Sequence, residues 1–523
     1  MSFVRLPTVV ALLVFVSFVR ADDASSIDQI AEQTLKTFEV PGIAVGVVKD
    51  GKLVFAKGYG VRKLGESAPV TPDTLFGIAS HTKAFTAAAL AILVDEGKLK
   101  WDDAVVDHLP DFQLFDPYVT REMTIRDLLC HRCGLGLGAG DLMFFPPSDF
   151  SREEMVKRLR YVKPATSFRS KYAYNNLMYL VAGQVIEKVS GKSWDDFITE
   201  RIFKKLGMNA SNTSVKKFNP GDNVATPHAK EEGKLVPLPF SPLDNNAPAG
   251  AINSSVKDVS KWVIAQLNGG KVDDKNRLFS AAQAKEMWTG AAIVPISSAA
   301  DSLGASKPSF QEYALGWLVT DYRGRKLVWH TGGLAGMVTR ITLVPEAKVG
   351  VIVLTNQETG FAFNALTYAL LDEHLGVTEK SDWVKMFNDV RVKREKEAEE
   401  KVSKAADKRN RESKPSLPLK NYAGRWRDAW YGDVLIDEKD GKLTINFTHS
   451  PDLVGVLEHF QYDTFIAKWN KRSLLADAFI TFTLKADGTL DSAKMAAVSP
   501  LTDFSYDFHD LLLQPAAKDS KPR

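Results

Sequence analysis

The sequence has few cysteines for its length. Its 523 residues include two, Cys130 and Cys133, so disulfide bonds cannot be the main support of the fold. His131 lies between them, but a structural zinc site needs about four ligands, so we predict no metal site. Two interpretations of the pair stay open: small buried residues at a helix end, or a disulfide formed in an oxidising compartment.

An excess of charge is also missing. The 67 Lys and Arg residues nearly balance the 64 Asp and Glu residues, for a net charge of +3. Removal of a leader that holds Arg5 and Arg20 leaves 65 basic against 64 acidic residues. This balance gives no electrostatic reason to expect a nucleic-acid partner. Hydrophobic residues make up 45% and charged residues 25%, as in ordinary globular proteins, and the length predicts two or more domains.

The sequence lacks an apolar run of the roughly 20 residues that a membrane-spanning helix needs. Its apolar segment Thr8–Val19 is shorter, follows Arg5 and precedes Ala21, a pattern typical of a secretory signal peptide. We therefore predict a signal peptide over residues 1–21, cleavage near Ala21, no stable membrane span, and a secreted or periplasmic protein. A retained membrane anchor is the alternative.

What the chain does contain is two regions with different patterns. Residues 22–380 have strand patterns near both ends, each flanked by a helical pattern, and further helical patterns between them, which indicates an α+β domain with an antiparallel sheet and a helical subdomain. Residues 381–416 mix charges of both signs and predict a helical or flexible linker. Residues 417–515 are rich in strand formers with Asp-Gly turns, and predict a small all-β domain.

The segment Leu75–Gly97 holds the candidate nucleophile. Ser80 and Lys83 stand three residues apart, at the start of an apolar helical pattern closed by a glycine. A helix N-terminus offers free N–H groups and a partial positive charge, which suits a serine that attacks a carbonyl group. The other Ser-x-x-Lys occurrences, at Ser214 and Ser254, lack this context. The structural alternative is a helix-capping serine followed by a solvated lysine.

Two further motifs follow in a set order. Tyr174-x-Asn176 precedes an apolar helical pattern, and His330-Thr331-Gly332 ends a predicted strand. Together with Ser80-x-x-Lys83, they resemble the serine β-lactamase and penicillin-binding-protein fold. More narrowly, they resemble the class C β-lactamase-related serine hydrolases, the S12 peptidase group that includes family VIII esterases. The resemblance covers roughly residues 27–376.

The resemblance implies a catalytic set. Ser80 would be the nucleophile and Lys83 its hydrogen-bonding partner. Tyr174 would be the general base, either as a phenolate favoured by the nearby ammonium group or within a shared proton network. His330 completes the implied set, with a core histidine at a strand end as the structural alternative.

The resemblance also implies how a substrate is held. The backbone N–H groups of Ser80 and Gly333 would form the oxyanion hole. Asn176 would contact the substrate amide, with Thr331 and Gly332 beside it. No cofactor and no metal are implied, and the partner is a small-molecule or short-peptide substrate. Self-association is left open.

One residue departs from the penicillin-recognising pattern. Classical members have Lys-Thr-Gly where this chain has His330-Thr331-Gly332, and a histidine with a pKa near 6.5 is mostly neutral at pH 7. This favours a peptidase, amidase or esterase over a β-lactamase. If protonated His330 bound a substrate carboxylate, the KM for anionic substrates would rise as the pH passes roughly 6–7.

We therefore predict a serine hydrolase that forms an acyl-enzyme with a small peptide, amide or ester, acting as a D-amino-acid-type peptidase or an esterase. The alternatives are a β-lactamase or DD-carboxypeptidase, and a non-catalytic binding or scaffold protein that kept the fold. The residues do not decide the physiological substrate.

The C-terminal region carries its own, shorter resemblance. Residues 422–426, Tyr-Ala-Gly-Arg-Trp, resemble the entry into the lipocalin-like domain found on some of these hydrolases, and predict a small β-barrel. The catalytic motifs end at Gly333. We therefore expect the β domain to supply no acylation chemistry, and to act by covering the cleft or by self-association.

Overall fold

The computed structural model describes residues 21–516, and the predicted leader lies outside this range except for its last residue, Ala21. The α-helices in this range are α1 (Ala21–Phe38), α2 (Thr82–Asp95), α3 (Val105–His108), α4 (Pro117–Glu122), α5 (Ile125–Leu129), α6 (Arg152–Arg158), α7 (Leu177–Ser190), α8 (Trp194–Ile198), α9 (Lys204–Leu206), α10 (Ala247–Gly250), α11 (Val256–Leu267), α12 (Ala281–Met287), α13 (Gly360–His374) and α14 (Trp383–Asp407).

The strands fall into a group before residue 360 and a group after residue 423. The first group is β1 (Gly42–Lys49), β2 (Lys52–Gly60), β3 (Phe76–Gly77), β4 (His228–Glu231), β5 (Lys234–Pro237), β6 (Asn253–Ser254), β7 (Ala292–Ile293), β8 (Gln311–Tyr313), β9 (Leu318–Tyr322), β10 (Arg325–Leu334), β11 (Met337–Val344) and β12 (Val349–Thr355). The second group is β13 (Gly424–Asp428), β14 (Gly432–Lys439), β15 (Lys442–Phe447), β16 (Val454–Gln461), β17 (Thr464–Trp469), β18 (Ala478–Leu484), β19 (Leu490–Ala497) and β20 (Gln514–Pro515).

The first domain is built on an antiparallel sheet of eight strands in the order β2-β1-β12-β11-β10-β9-β8-β7. β1 pairs with β12 from the far end of the domain, so that Ile43 lies opposite Thr355. Side chains of β1 and β12 are buried on both faces, because α1 and α13 cover one face and α11 covers the other. The predicted α+β domain, with sheet strands drawn from both ends, is confirmed.

The helical part lies in the chain between β2 and β7, and α2 is its most buried helix. Twelve of the fourteen residues of α2 are buried, and the helix packs against α7 and α10. Because α2 has no solvent-exposed face near its start, Lys83 is buried together with the apolar residues around it. The predicted helix after Tyr174-x-Asn176 is α7, which ends at Gly191 with a left-handed backbone.

The second domain is an antiparallel sheet of eight strands in the order β19-β18-β17-β16-β15-β14-β13-β20. β20 pairs with β13, and a bridge between Ala493 and Leu513 ties β19 to the segment before β20. The sheet is thereby nearly closed into a barrel, with apolar side chains from alternate positions inside. This confirms the predicted small all-β barrel.

The structure adds detail to the predicted linker and changes the expected position of the His-Thr-Gly motif. The predicted linker contains the long helix α14, whose first turns are buried against α13 through Trp383, Val384 and Phe387. The domain boundaries at residues 381 and 416 stay a prediction. β10 runs on to Leu334, so the His-Thr-Gly motif lies inside a strand and not at its end.

The two cysteines lie at and beyond the C-terminal end of α5 as free, buried thiols. Burial raises the pKa of Cys130 to about 12 and the pKa of Cys133 to about 11, so both stay protonated at neutral pH. The interpretation as small buried residues fits this arrangement.

The barrel packs directly on the first domain. The ring of Phe150 stacks on His449 with centroids 4.0 Å apart, and the backbone N–H of Asp149 donates to the carbonyl oxygen of His449. Phe145 contacts Tyr506 at a centroid distance of 5.2 Å. Apolar side chains of both domains therefore belong to one continuous buried cluster. Among the helices that the structure describes, none combines the length and apolar character needed to cross a membrane.

Candidate active site

Ser80 lies in a single 3-10 turn, Ala79–His81, that leads into α2. β10 approaches this turn closely at Gly332, where a Cβ atom would stand 2.3 Å from the carbonyl oxygen of Ile78. Thr339 of β11 donates a hydrogen bond to the same carbonyl oxygen. The absence of a side chain at Gly332 thus allows the strand that carries His-Thr-Gly to pack against the nucleophile turn.

Lys83 is buried within hydrogen-bonding distance of three oxygen atoms. Its Nζ atom lies 3.0 Å from Oγ of Ser80, 2.7 Å from Oδ1 of Asn176 and 2.9 Å from the carbonyl oxygen of Ala249. Burial lowers the pKa of Lys83 to about 7, although the nearby Asp141 carboxyl opposes this effect. A substantial part of the lysine is therefore an uncharged amine at neutral pH.

The three contacts of Lys83 can be made by the ammonium group or by the uncharged amine. The oxygens of Asn176 and Ala249 can only accept, so they take the two N–H groups of the amine. In the ammonium form the third N–H group of Lys83 donates to Oγ of Ser80, and in the amine form the hydroxyl group of Ser80 can donate to the nitrogen lone pair instead. In the amine form, Lys83 can therefore receive the serine proton along this contact.

Asp141 lies behind Lys83 and Ser80, and it was not among the site residues predicted from the sequence. The Nδ2 atom of Asn176 donates to Oδ2 of Asp141 at 2.8 Å, so Asn176 bridges the carboxyl group and the amine of Lys83. Asp141 is buried, and its Oδ1 atom has no hydrogen-bond partner among the described residues. Burial raises the pKa of Asp141 to about 8, against the opposing effects of its hydrogen bonds and of Lys83.

Tyr174 is half-buried beside the nucleophile. Its ring centroid lies 4.9 Å from Nζ of Lys83, and its hydroxyl group shares a hydrogen bond with Ser80. Burial raises the pKa of Tyr174 well above its usual value, and the hydrogen bond with Ser80 opposes this only in part. Both effects of the surroundings taken together disfavour the phenolate alternative. The alternative, a neutral hydroxyl in a shared proton network, fits the geometry.

An aromatic cluster holds Tyr174 in place. The imidazole of His131 lies 4.2 Å from the Tyr174 ring and 4.3 Å from the Tyr313 ring, measured between centroids. Its Nδ1 atom accepts a hydrogen bond from the backbone N–H of Asn175 at 3.1 Å. His131 is buried with a left-handed backbone, and it fixes the chain at the Tyr-x-Asn motif. From the sequence, His131 was noted only for its position between the two cysteines and was not predicted to contact Tyr174.

His330 is buried in the same cluster and holds two hydrogen bonds. Its Nδ1 atom lies 2.5 Å from the carbonyl oxygen of Thr331, and its Nε2 atom lies 2.9 Å from the hydroxyl oxygen of Tyr313. Burial, together with the charge of Lys83, lowers the pKa of His330 to about 3. The ring is therefore neutral at physiological pH, and the hypothesis that it titrates near pH 6–7 is not supported.

The structure brings the predicted residues of all three motifs together. Thr331 is half-buried, Gly332 is buried and Gly333 is exposed along β10, next to the turn that carries Ser80. The two predicted oxyanion donors, the backbone N–H groups of Ser80 and Gly333, thus belong to two segments in contact. Among residues 21–516 there is no cluster of three or more His, Cys, Asp or Glu side chains arranged to hold a metal ion.

The barrel also reaches this site. The ring of Phe504, in the segment between β19 and β20, contacts Tyr174 with centroids 5.8 Å apart. The hydroxyl group of Ser505 donates to Oδ2 of Asp141 at 3.0 Å. The contact of Phe504 with Tyr174 fits the expected position of the β domain over the cleft, whereas the contact of Ser505 with Asp141 was not expected from the sequence.

The domain on which this site stands has the fold of the β-lactamases and penicillin-binding proteins. Residues 27–375, more than half of the chain, match the family described as Beta-lactamase, and residues 408–515 match a domain of unknown function, DUF3471. The chain belongs to the Beta-lactamase family of serine hydrolases.

Relatives of known name extend over most of the chain. An unguisins hydrolase of Aspergillus campestris is 32% identical over 458 residues, which is 81% of this chain and 80% of its own. Protein flp of Staphylococcus aureus is 29% identical over 352 residues, which is 64% of this chain and 63% of its own.

Solved structures share the fold. The octameric penicillin-binding protein homologue from Pyrococcus abyssi has a TM-score of 0.59 at 23% identity, covering 94% of this chain and all of its own. A class C beta-lactamase has a TM-score of 0.55 at 20% identity, covering 69% of this chain and 98% of its own. At these identities the likeness concerns the fold alone.

Proposed function

We propose that the protein is a serine hydrolase that forms an acyl-enzyme at Ser80 with a small peptide, amide or ester. The observation that carries the proposal is the contact between Ser80 and Lys83. A buried amine with a pKa of about 7 lies 3.0 Å from the serine oxygen, with its other hydrogen-bonding positions taken by Asn176 and Ala249. Such an amine can accept the serine proton at neutral pH.

In the proposed acylation step, Oγ of Ser80 attacks the substrate carbonyl carbon as its proton passes to Nζ of Lys83. The oxyanion that forms is stabilised by the backbone N–H groups of Ser80 and Gly333. The hydroxyl group of Tyr174, hydrogen-bonded to Ser80, passes a proton to the leaving group and is reprotonated by Lys83. Water then attacks the acyl-enzyme ester at Ser80, and the same proton transfers run in reverse to release the acid and restore the Ser80 hydroxyl group.

Asn176 has two tasks in this proposal. Its side chain lies between Lys83 and Asp141, which fixes its orientation: oxygen toward the amine and nitrogen toward the carboxyl group. Since both ends of this amide are engaged, Asn176 orients Lys83 as well as lying beside the substrate amide.

The neutral state of His330 supports a substrate that needs no positive charge for recognition at this position. A D-amino-acid-type peptidase or an esterase fits this better than a β-lactamase or DD-carboxypeptidase, which recognise a carboxylate. Two relatives named unguisins hydrolase, from Aspergillus campestris and Aspergillus violaceofuscus, support a hydrolase.

The test is to treat the full chain with an acylating fluorophosphonate probe and to identify the modified residue by peptide mass spectrometry. Hydrolysis of a D-aminoacyl amide, a short-chain nitrophenyl ester, nitrocefin and a D-Ala-D-Ala peptide is then compared. Labelling at Ser80 with turnover of the amide or ester supports the proposal. Turnover of nitrocefin or the D-Ala-D-Ala peptide alone favours the alternative, and absence of labelling favours a non-catalytic binding protein.

We also propose export and self-association. The signal-peptide pattern over residues 1–21 supports export, which amino-terminal sequencing of the mature protein tests. The fold shared with an octameric homologue supports self-association, which the mass of the protein in solution tests.

A further inference from the structure

A short segment of the barrel, Asp503–Asp507, enters the first domain beside the candidate catalytic residues. Ser505 and Asp507 are buried, whereas Phe504 is 39% exposed and lies over Tyr174. A Cβ atom at Gly138 would stand 2.6 Å from the carbonyl oxygen of Phe504, so the two backbones are in close contact. We call Asp503–Asp507 the barrel loop.

The barrel loop is held by hydrogen bonds as well as by packing. The carboxyl group of Asp507 accepts hydrogen bonds from the backbone N–H groups of Gly140, at 2.6 Å, and Leu142, at 3.1 Å. These two residues flank Asp141. The loop therefore fixes the backbone on both sides of the residue whose side chain Ser505 contacts.

Ser505 begins a chain of hydrogen bonds that reaches the nucleophile. Its hydroxyl group donates to Oδ2 of Asp141, the same atom that accepts from Nδ2 of Asn176. Oδ1 of Asn176 accepts from Lys83, and Lys83 contacts Ser80. Four hydrogen bonds thus connect a hydroxyl group of the barrel to the oxygen atom proposed to attack the substrate.

We infer that the barrel completes the catalytic machinery: Ser505 is a positioning residue that acts on Lys83 through Asp141 and Asn176. This inference rests on the proposed function, because it concerns the amine proposed to accept the serine proton. It gives the barrel a role in acylation in addition to covering the cleft.

The direction of the effect follows from electrostatics. The hydroxyl group of Ser505 stabilises the ionised form of Asp141, and an ionised Asp141 stabilises the ammonium form of Lys83. Asp141 is therefore ionised mainly when Lys83 is an ammonium ion. Loss of the Ser505 hydroxyl group makes this ion pair less favourable relative to neutral Asp141 with uncharged Lys83, so Lys83 gives up its proton at lower pH. The other titratable groups that face this pair from the surrounding elements are Tyr174, Tyr179, His81, His131 and His330 around the amine, and Asp503 and Asp507 around the carboxyl group.

The test uses the full chain and the variant Ser505→Ala, with Ser499→Ala as its matched control. Ser499 lies in the same connection, and its Oγ accepts only a local hydrogen bond from Leu501 among the contacts described. The rate of Ser80 labelling and kcat/KM for a neutral ester are measured against pH. We expect the acid limb of Ser505→Ala to move to lower pH by at least about 0.3 unit, since a lost hydrogen bond destabilises the charged carboxylate.

A double-variant comparison identifies the route. Asp141→Asn removes the charge through which Ser505 is inferred to act, so Ser505→Ala should cause no further shift in an Asp141→Asn background. Ser505→Thr keeps a hydroxyl group and should restore the wild-type profile. If Ser505→Ala folds poorly, Ser505→Cys, which has a weaker donor in nearly the same volume, gives the same comparison.

The outcomes separate this inference from the proposed function. If wild-type Ser80 is not labelled at all, the proposed function fails. If wild-type Ser80 is labelled but Ser505→Ala keeps the wild-type pH profile, or shifts it no more than Ser499→Ala does, the inference is overturned and the proposed function stands. A shift that persists unchanged in the Asp141→Asn background would also overturn it.

Discussion

The hydroxyl oxygen of Tyr313 lies 2.9 Å from Nε2 of His330 in the buried part of the active site. Because Nδ1 of His330 faces the carbonyl oxygen of Thr331, it must carry the proton, and Nε2 then accepts from Tyr313. This pair of contacts is complete with a neutral imidazole. It leaves no role for an imidazolium ion, in agreement with the pKa of about 3 that burial produces.

The pH dependence of substrate binding tests this neutral state. We expect the KM values of an anionic and of a neutral ester to follow parallel curves between about pH 5.5 and pH 7.5, where a histidine with an ordinary pKa would titrate. The measurement is KM against pH for two esters that differ only in a distal carboxylate. A rise confined to the anionic ester would show that His330 is protonated in the complex.

The pH dependence of the chemical step reports on Lys83. Below about pH 7 the amine is increasingly an ammonium ion, which cannot accept the Ser80 proton. We expect kcat/KM for a neutral ester to rise about tenfold per pH unit on the acid side and to level off above about pH 7. Lys83→Arg keeps a positive charge but titrates far higher, so it should abolish this activity. Activity that is independent of pH from about 5 to 8 would contradict Lys83 as the proton acceptor.

Ser80→Ala tests the nucleophile. We expect turnover and probe labelling to be lost, with a change of about 1 kcal/mol in the free energy of unfolding, because one hydroxyl group and its hydrogen bond to Lys83 disappear. Thermal unfolding and labelling are measured together. Ser214→Ala, at another Ser-x-x-Lys position, is the control and should be labelled as the wild type is. Retention of a tenth of the activity in Ser80→Ala would exclude Ser80.

Tyr174→Phe tests the proton network. We expect kcat to fall at least about 100-fold, because the hydroxyl group that passes the proton is removed. The free energy of unfolding should change by no more than about 1–2 kcal/mol. Tyr172→Phe, in the same aromatic cluster, is the control and should keep most of the activity. Near-normal kcat in Tyr174→Phe would mean that Lys83 carries the proton alone.

Phe504→Ala tests whether the barrel limits substrate size. The Phe504 ring lies against Tyr174 and is partly exposed, so its removal should open the cleft. We compare kcat/KM for an ester with a bulky acyl group with kcat/KM for an acetate ester. In Phe504→Ala, we expect this ratio to rise about threefold or more over the wild type. Phe479→Ala, on β18 beside Phe460, is the control for damage to the barrel itself. Equal ratios in Phe504→Ala and the wild type would remove Phe504 from the substrate site.

The sequence by itself determined the elements that have a local pattern. Asp50-Gly51, a residue pair typical of hairpin turns, connects β1 to β2, and apolar periodicity with a closing glycine predicted α2 and α7. Ser80 and Lys83 are one helical turn apart, so their meeting required no knowledge of the rest of the chain. The order of the three motifs was sufficient to indicate the family.

Only the tertiary structure decided which groups surround Lys83 and what charges they carry. Asn176 lies 93 residues from Lys83, and Ser505 lies 364 residues from Asp141, so no periodicity or spacing connects them. The pKa values of Lys83 and His330 depend on burial, which packing creates and a residue's identity does not reveal. For the same reason, the contact between barrel and catalytic residues became visible only once both domains were folded against each other.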